Sequence, residues 1–207
     1  VRTGGTQFDG VIGHHYLTGQ DPVRAIAYLQ RAAQHQRSMY DMEAAVATLE
    51  ACLLTLVDIP DGELPSVRRE ELALEFLSQL VRLRVLTGDL QQAIENATKA
   101  DNWQEAKTAT ARRNRAVVSM WRGWAMMRLG RYAEAQAAFA PVTELLEGAE
   151  DAELTLQAAT GTASTMDKLG EAREATRLIA AAITVYETSP RRGADGDVHL
   201  SAAYRVL

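Results

Sequence analysis

Leu86-Thr-Gly-Asp-Leu-Gln-Gln-Ala-Ile94 is echoed at Leu129-Gly-Arg-Tyr-Ala-Glu-Ala-Gln136 and again at Leu169-Gly-Glu-Ala-Arg-Glu-Ala-Thr176, each time between two stretches of helical periodicity. A helix, a Gly turn and a helix returning at nearly fixed spacing form a stack, because one such pair cannot bury its apolar face alone. The expected fold is all-α: an α-solenoid of antiparallel helix pairs, about ten helices in a right-handed superhelix. Stacked pairs usually make binding surfaces rather than catalytic centres.

Aligned on the alanine that follows each turn, Ala25, Ala45, Ala93, Ala135 and Ala175 are equivalent, with spacings of 20, 48, 42 and 40 residues. Four residues further on stand Leu29, Leu49, Ala97, Phe139 and Ile179, and seven further on Ala32, Cys52, Ala100, Val142 and Ala182. These apolar positions at i, i+4 and i+7 make one stripe of a helix. Twelve residues before each alanine, where the first helix must approach the second, stand Gly13, Ala33, Val81, Gly123 and Ala163. Gly and Ala permit the close crossing that such a pair requires. The spacing of 20 is too short for a whole pair, so the helix over 21–37 is expected to serve as second helix of one unit and first of the next.

The segment Ile12-Gly13-x-x-Tyr16…Ala25…Leu29…Ala32 resembles the tetratricopeptide repeat, with its small residue and aromatic in the first helix and Ala, a large apolar residue and Ala in the second. Arg84 and Met126 stand where the family has an aromatic, and the closing Pro is absent from its place in each unit. The last two spacings exceed the roughly 34 residues of the common unit, which implies extra turns or longer connections. The resemblance covers about nine-tenths of the chain. Within it, His14-His15-Tyr-x-x-Gly-x-Asp-x-x-x-Ala25 with the following Arg31-Ala-Ala33 is similar to the helical repeats of large bacterial signalling ATPases, including maltose-activator-like transcription regulators. That likeness implies a module of a bacterial signal-transduction or transcription-regulatory protein.

Periodicity places helices near 7–19, 21–37, 41–58, 66–87, 89–101, 103–129, 131–147, 150–169, 171–188 and 196–206. Asp58-Ile-Pro-Asp-Gly-Glu-Leu-Pro65 interrupts them, since two prolines and a glycine cannot sit inside a helix. It divides N-terminal repeats over 1–58 from repeats over 66–190, with 59–65 as a connecting loop and hinge, and 191–207 opening a further or capping helix. Asn102-Trp-Gln-Glu105 has capping-box spacing and is expected to start a helix. Gly88, Gly130 and Gly170 sit where a helix must end in a left-handed residue. The start at Val1 without Met and the end at Leu207 suggest a piece of a longer protein.

Composition narrows the function. The 207 residues are 47% apolar with five Pro and 6% aromatics, which suits packed helices. A net charge of −5 argues against a dedicated nucleic-acid binder, whose affinity rests on excess Lys and Arg. Cys52 is the one cysteine, so there is neither an intrachain disulfide nor a cysteine zinc cluster, and it is expected to be a buried, inert thiol. No apolar run reaches the ~20 residues of a membrane helix, and the N-terminus has no signal pattern, so a cytoplasmic location is expected. Adjacent His14 and His15 point about 100° apart on a helix and cannot chelate one ion. The carboxylates Glu144, Glu147, Glu150, Asp151 and Glu153 read as a solvated helix end and loop, and Arg112, Arg113 and Arg115 as a local basic cluster on a solvated face. Gly4-Gly5 belongs to an irregular start, and no phosphate loop, nucleophile elbow or HExxH is present. The segment reads as non-enzymatic, with no cofactor, metal or membrane.

The stretch Met120-Trp-Arg-Gly-Trp-Ala-Met-Met-Arg128 carries the expected site. The tetratricopeptide resemblance implies that first helices line a concave groove. With Gly123 in the packing seam, Met120, Trp124, Met127 and Arg128 are expected to face it and Trp121 to lie at its edge. Gln79 and Arg82 would flank them on one side, and Ser164, Asp167 and Lys168 on the other. Both tryptophans could instead pack between helices, Trp121 more readily than Trp124, and Trp103 reads as a structural staple. An apolar floor of Trp and Met beside Arg and Lys suits a peptide or intramolecular segment. The competing expectations are a small-effector sensor attached to an ATPase and a bare spacer. A chain lacking a terminal capping helix could also self-associate through its exposed last repeat, which leaves a homodimer open.

Overall fold

A computed structural model describes residues 8–103, 106–147, 151–189 and 196–206. Gly4, Gly5, Gln104, Glu105 and Glu150 lie outside the described residues. The fold is an all-α solenoid. Its helices are α1 (Asp9–Thr18), α2 (Pro22–Ser38), α3 (Met42–Asp58), α4 (Ser66–Thr87), α5 (Leu90–Lys99), α6 (Ala109–Arg128), α7 (Tyr132–Phe139), α8 (Pro141–Leu145), α9 (Ala152–Lys168), α10 (Ala172–Thr188) and α11 (Gly196–Tyr204). From α1 to α7 each helix packs against the next, as α9 does against α10, and α4 also meets α6, α6 meets α9, and α9 meets α11. That alternation winds a solenoid rather than a closed bundle. As the short first spacing requires, α2 packs against both α1 and α3.

One turn recurs five times. Gln20, Tyr40, Gly88, Gly130 and Gly170 have φ of 60°, 61°, 90°, 74° and 86°. After each, the next amide reaches back across the helix end: Asp21 to Tyr16 (2.9 Å), Asp41 to Gln36 (2.9 Å), Asp89 to Arg84 (2.8 Å), Arg131 to Met126 (2.9 Å) and Glu171 to Met166 (2.8 Å). This is a Schellman closure, which satisfies a helix's last carbonyls and needs one left-handed residue. The first two turns meet the need without glycine. Asp21 and Asp41 also cap the next helix, accepting from the amides of Arg24 and Ala44 at 3.1 Å.

Every aligned position at the alanine, at i+4, at i+7 and twelve before is buried. At the seam of the third unit the fit is tightest. A Cβ on Gly123 of α6 would come within 2.7 Å of the Phe139 ring, and one on Gly161 of α9 within 2.4 Å. The ring of α7 therefore fills the space that two absent side chains leave. Trp124 closes a third side edge-on, its centroid 5.8 Å from that of Phe139 at 83°.

Two helix boundaries differ from the sequence reading. The helix expected over 131–147 is divided into α7 and α8 at Pro141, which has no amide to donate to the preceding turn. The helix expected from 103 begins at Ala109, with Thr108 as its cap through a 3.1 Å bond from the Ala111 amide. Asn102 ends a short 3₁₀ turn instead. The connection into α6 is held by buried Glu70, whose carboxylate accepts from the amides of Ala106 (3.0 Å) and Lys107 (3.3 Å). Trp103 and Leu53 each pack against both the α2–α4 cluster and the α4–α9 cluster, joining the two cores. At 59–65, Arg69 of α4 donates to the carbonyls of Leu56 (2.6 Å), Ile59 (2.8 Å) and Pro60 (3.3 Å). The connection is thus pinned to the helix that follows it.

Tyr40 is 85% exposed and left-handed, so its ring contributes little packing while its Cβ strains the turn. Tyr40→Gly is expected to raise stability by roughly 0.5–1 kcal/mol, seen as a higher urea midpoint with unchanged slope. Gly161→Ala is expected to lower it by about 1–3 kcal/mol despite the better helix propensity of Ala. Adding Phe139→Leu should recover part of that loss in a double-mutant cycle, since both changes act on the same contact.

Candidate binding groove

Residues from α2, α4, α6, α9 and α11 line a cavity of about 780 Å³. These are the alternate helices of the stack, so the cavity runs along one layer of it. Glu75 and Gln79 on α4, and Val117 and Trp121 on α6, are four apart and therefore share a helix face. Glu153 and Gln157 repeat that spacing on α9. The pairs on α4 and α6 lie on the side of the helix away from the packing seam.

The α2–α4 wall is polar. Arg37 donates to Gln79 Oε1 at 3.0 Å, and Glu75 Oε1 accepts from Gln30 and, at 3.5 Å, from Gln79. Burial holds the Arg37 guanidinium below its usual pKa, and the charge of Arg82 adds to that. Arg82 is exposed and places its guanidinium carbon 5.8 Å from the Trp121 ring centroid, a cation–π contact. The floor is apolar, formed by Val117, buried Met120 and half-buried Trp121. On the α9–α11 wall, His199 Nε2 lies 3.3 Å from Glu153 Oε1 and 2.8 Å from Gln157 Nε2. Arg113 is held by Asp151 at 2.8 Å, and Asp151 also caps α9 through the Leu154 amide at 3.1 Å.

Of the residues expected at the groove, the structure brings together Gln79, Arg82 and Met120, with Trp121 among them. Trp124, Met127, Arg128, Ser164 and Lys168 do not line the cavity. Trp124 and Met127 pack against the buried core, and the Arg128 guanidinium is taken by the Val85 carbonyl across the α4–α6 contact. The Ser164 hydroxyl bonds back to the Thr160 carbonyl at 2.8 Å, and Lys168 is exposed beside Asp167. Geometry explains the division. Gly123 faces Phe139, and Trp121, two residues earlier, lies about 160° round the helix from it. Trp124 lies only about 100° away and stays within reach of the same ring.

Sequence reasoning passed over Arg37, Glu75, Glu153, Gln157 and His199. The i, i+4 pairs opposite each small residue were the readable signal for the carboxamides and carboxylates, whereas Arg37 and His199 reach the cavity only through helix packing. The supposed basic cluster is dispersed: Arg113 turns to Asp151, and Arg115 donates to the Trp103 carbonyl at 3.3 Å. Cys52 is buried on α3, and burial pushes its thiol up to about 12. Among the described residues, no group of His, Cys, Asp and Glu has the arrangement of a metal site, and no helix is long and apolar enough to cross a membrane.

No family model matches the chain. No curated protein matches it either. A solved structure, the crystal structure of the apo form of RapI, is similar in shape. Its TM-score is 0.69 at 12% identity, over 96% of this chain and 52% of that chain. The likeness is one of fold. The chain spans about half the length of RapI.

Two outcomes check this geometry. Asp151→Ala is expected to cost about 1–2 kcal/mol by urea denaturation, because it removes a cap as well as the Arg113 partner. Asp151→Asn, which keeps the cap, should cost less than about 1 kcal/mol. Cys52 in the native protein should resist a thiol-specific disulfide reagent near pH ~8, with labelling at the rate of unfolding rather than of a free thiol.

Proposed function

We propose that this chain is a non-enzymatic protein-interaction module that captures a peptide segment, from a partner or from its own polypeptide, in the cavity along α4, α6 and α9. The observation that carries the reading is Trp121, a half-buried aromatic on the cavity floor with Arg82 against its face. Aromatic and Arg side chains with apolar surroundings supply most of the binding energy at interfaces. The tetratricopeptide resemblance and the likeness of fold to RapI support a repeat surface used for binding, within a bacterial signalling or transcription-regulatory protein. A small-effector sensor is the second reading, favoured by a cavity volume within the roughly 300–1,000 Å³ of small-molecule sites. Self-association through the last helix is a further proposal, since Val198 and Tyr204 of α11 are exposed.

Peptides selected on the immobilised chain from a phage-displayed random library test the first reading. Trp121→Ala should weaken the selected peptides about tenfold or more by fluorescence anisotropy, with unchanged helicity. Trp124→Ala should instead lower the melting temperature, because it opens the packing around Phe139. Peptides that bind Trp121→Ala as well as the parent would place capture elsewhere. A thermal-shift screen with sugars and nucleotides tests the second reading, and light scattering at two concentrations tests self-association.

A further inference from the structure

Several arginines of this acidic chain are paired with carboxylates. Arg31 pairs with Asp9, Arg69 with Asp61, Arg84 with Glu50 and Asp89, Arg113 with Asp151, Arg122 with Asp101 and Arg131 with Glu134. Among the described residues, Arg37 and Arg82 are not within ion-pair distance of any carboxylate, though both line the cavity. Arg37 reaches Gln79, which stands three residues before Arg82 on the same face of α4, so the two guanidiniums share one wall. Glu75, the carboxylate on that wall, is already engaged by Gln30 and Gln79. Two guanidiniums therefore outnumber the one cavity carboxylate on this wall, beside an apolar floor, in a protein whose net charge is −5. The opposite wall is different, because Glu153 stands there beside His199.

We infer that the groove takes an acidic peptide segment, with an Asp or Glu carboxylate received by Arg37 and Arg82 and a neighbouring large apolar side chain laid on Trp121. This deepens the reading of the cavity as a peptide groove and rests on it. A guanidinium fork matches a carboxylate with two parallel hydrogen bonds, and removal from bulk water strengthens them. The floor of Val117, Met120 and Trp121 calls for an apolar group attached to the anion, which a free inorganic anion lacks. The walls also orient the segment. Its acidic residue lies toward α4, and the end that meets Glu153 on α9 is neutral or basic.

The test uses the library-selected peptides. Their consensus should hold Asp or Glu within a few residues of Leu, Phe or Trp, and their affinity should fall as sodium chloride is raised from about 50 to about 500 mM. Arg82→Gln should weaken them about tenfold, and Arg37→Gln with Arg82→Gln more. Among the described residues the contact of Arg82 with the rest of the protein is its place against Trp121, so the single variant should lower the melting temperature by no more than a few degrees. A consensus without acidic residues, or affinities unmoved by Arg82→Gln, overturns the acidic segment while leaving peptide capture through Trp121 intact. Failure to select any peptide that depends on Trp121 overturns both readings. Calorimetric titration with phosphate and with citrate completes the test: binding of either alone as tight as the peptides would assign the Arg pair to a small anion and overturn the inference.

Discussion

The ring of Phe139 against Gly123 and Gly161 is the contact on which the middle of the solenoid depends. A full aromatic side chain from α7 lies between α6 and α9 because neither helix offers a Cβ there. Each glycine costs its helix roughly 1 kcal/mol relative to alanine, and burial of the ring at native packing density offsets it. Fixing the ring fixes the rotation of α6 about its axis. The same rotation puts Trp124 against Phe139 and Trp121 on the cavity floor. The cavity floor is thus a by-product of how the seam closes.

Much of the fold was legible from residue type. The alanines, the large apolar residues four further on and the small residues twelve before form a pattern that only a close helix pair requires, and all are buried. Turns at Gly88, Gly130 and Gly170 were legible for the same reason, since one backbone conformation there favours glycine. Gln20 and Tyr40 were not, because the bonds that close their turns involve backbone atoms and leave no mark in the side chain. Pro141 and Thr108 reset two boundaries through local chemistry that a periodicity count averages over.

The groove was harder to read. Trp121 and Trp124 are both large, and they stand three residues apart on one helix. Which of them meets the next helix depends on Gly161, a residue outside the aligned seam position, which Ala163 occupies. Arg128 looked as available as Arg82, yet the Val85 carbonyl takes it up between helices. Arg37 and His199 enter from helices distant in sequence, so their presence in the cavity is a property of the stack.

Trp103 carries a consequence for the way the chain comes apart. A repeat array behaves like a row of weakly coupled units, and its ends can open while the rest persists. Trp103, with Leu53, serves both the α2–α4 and the α4–α9 clusters, so loosening either side exposes a shared side chain. Opening of one cluster is thereby coupled to opening of the other. Inserting or deleting a unit at that junction would leave Trp103 without one of its two sets of contacts.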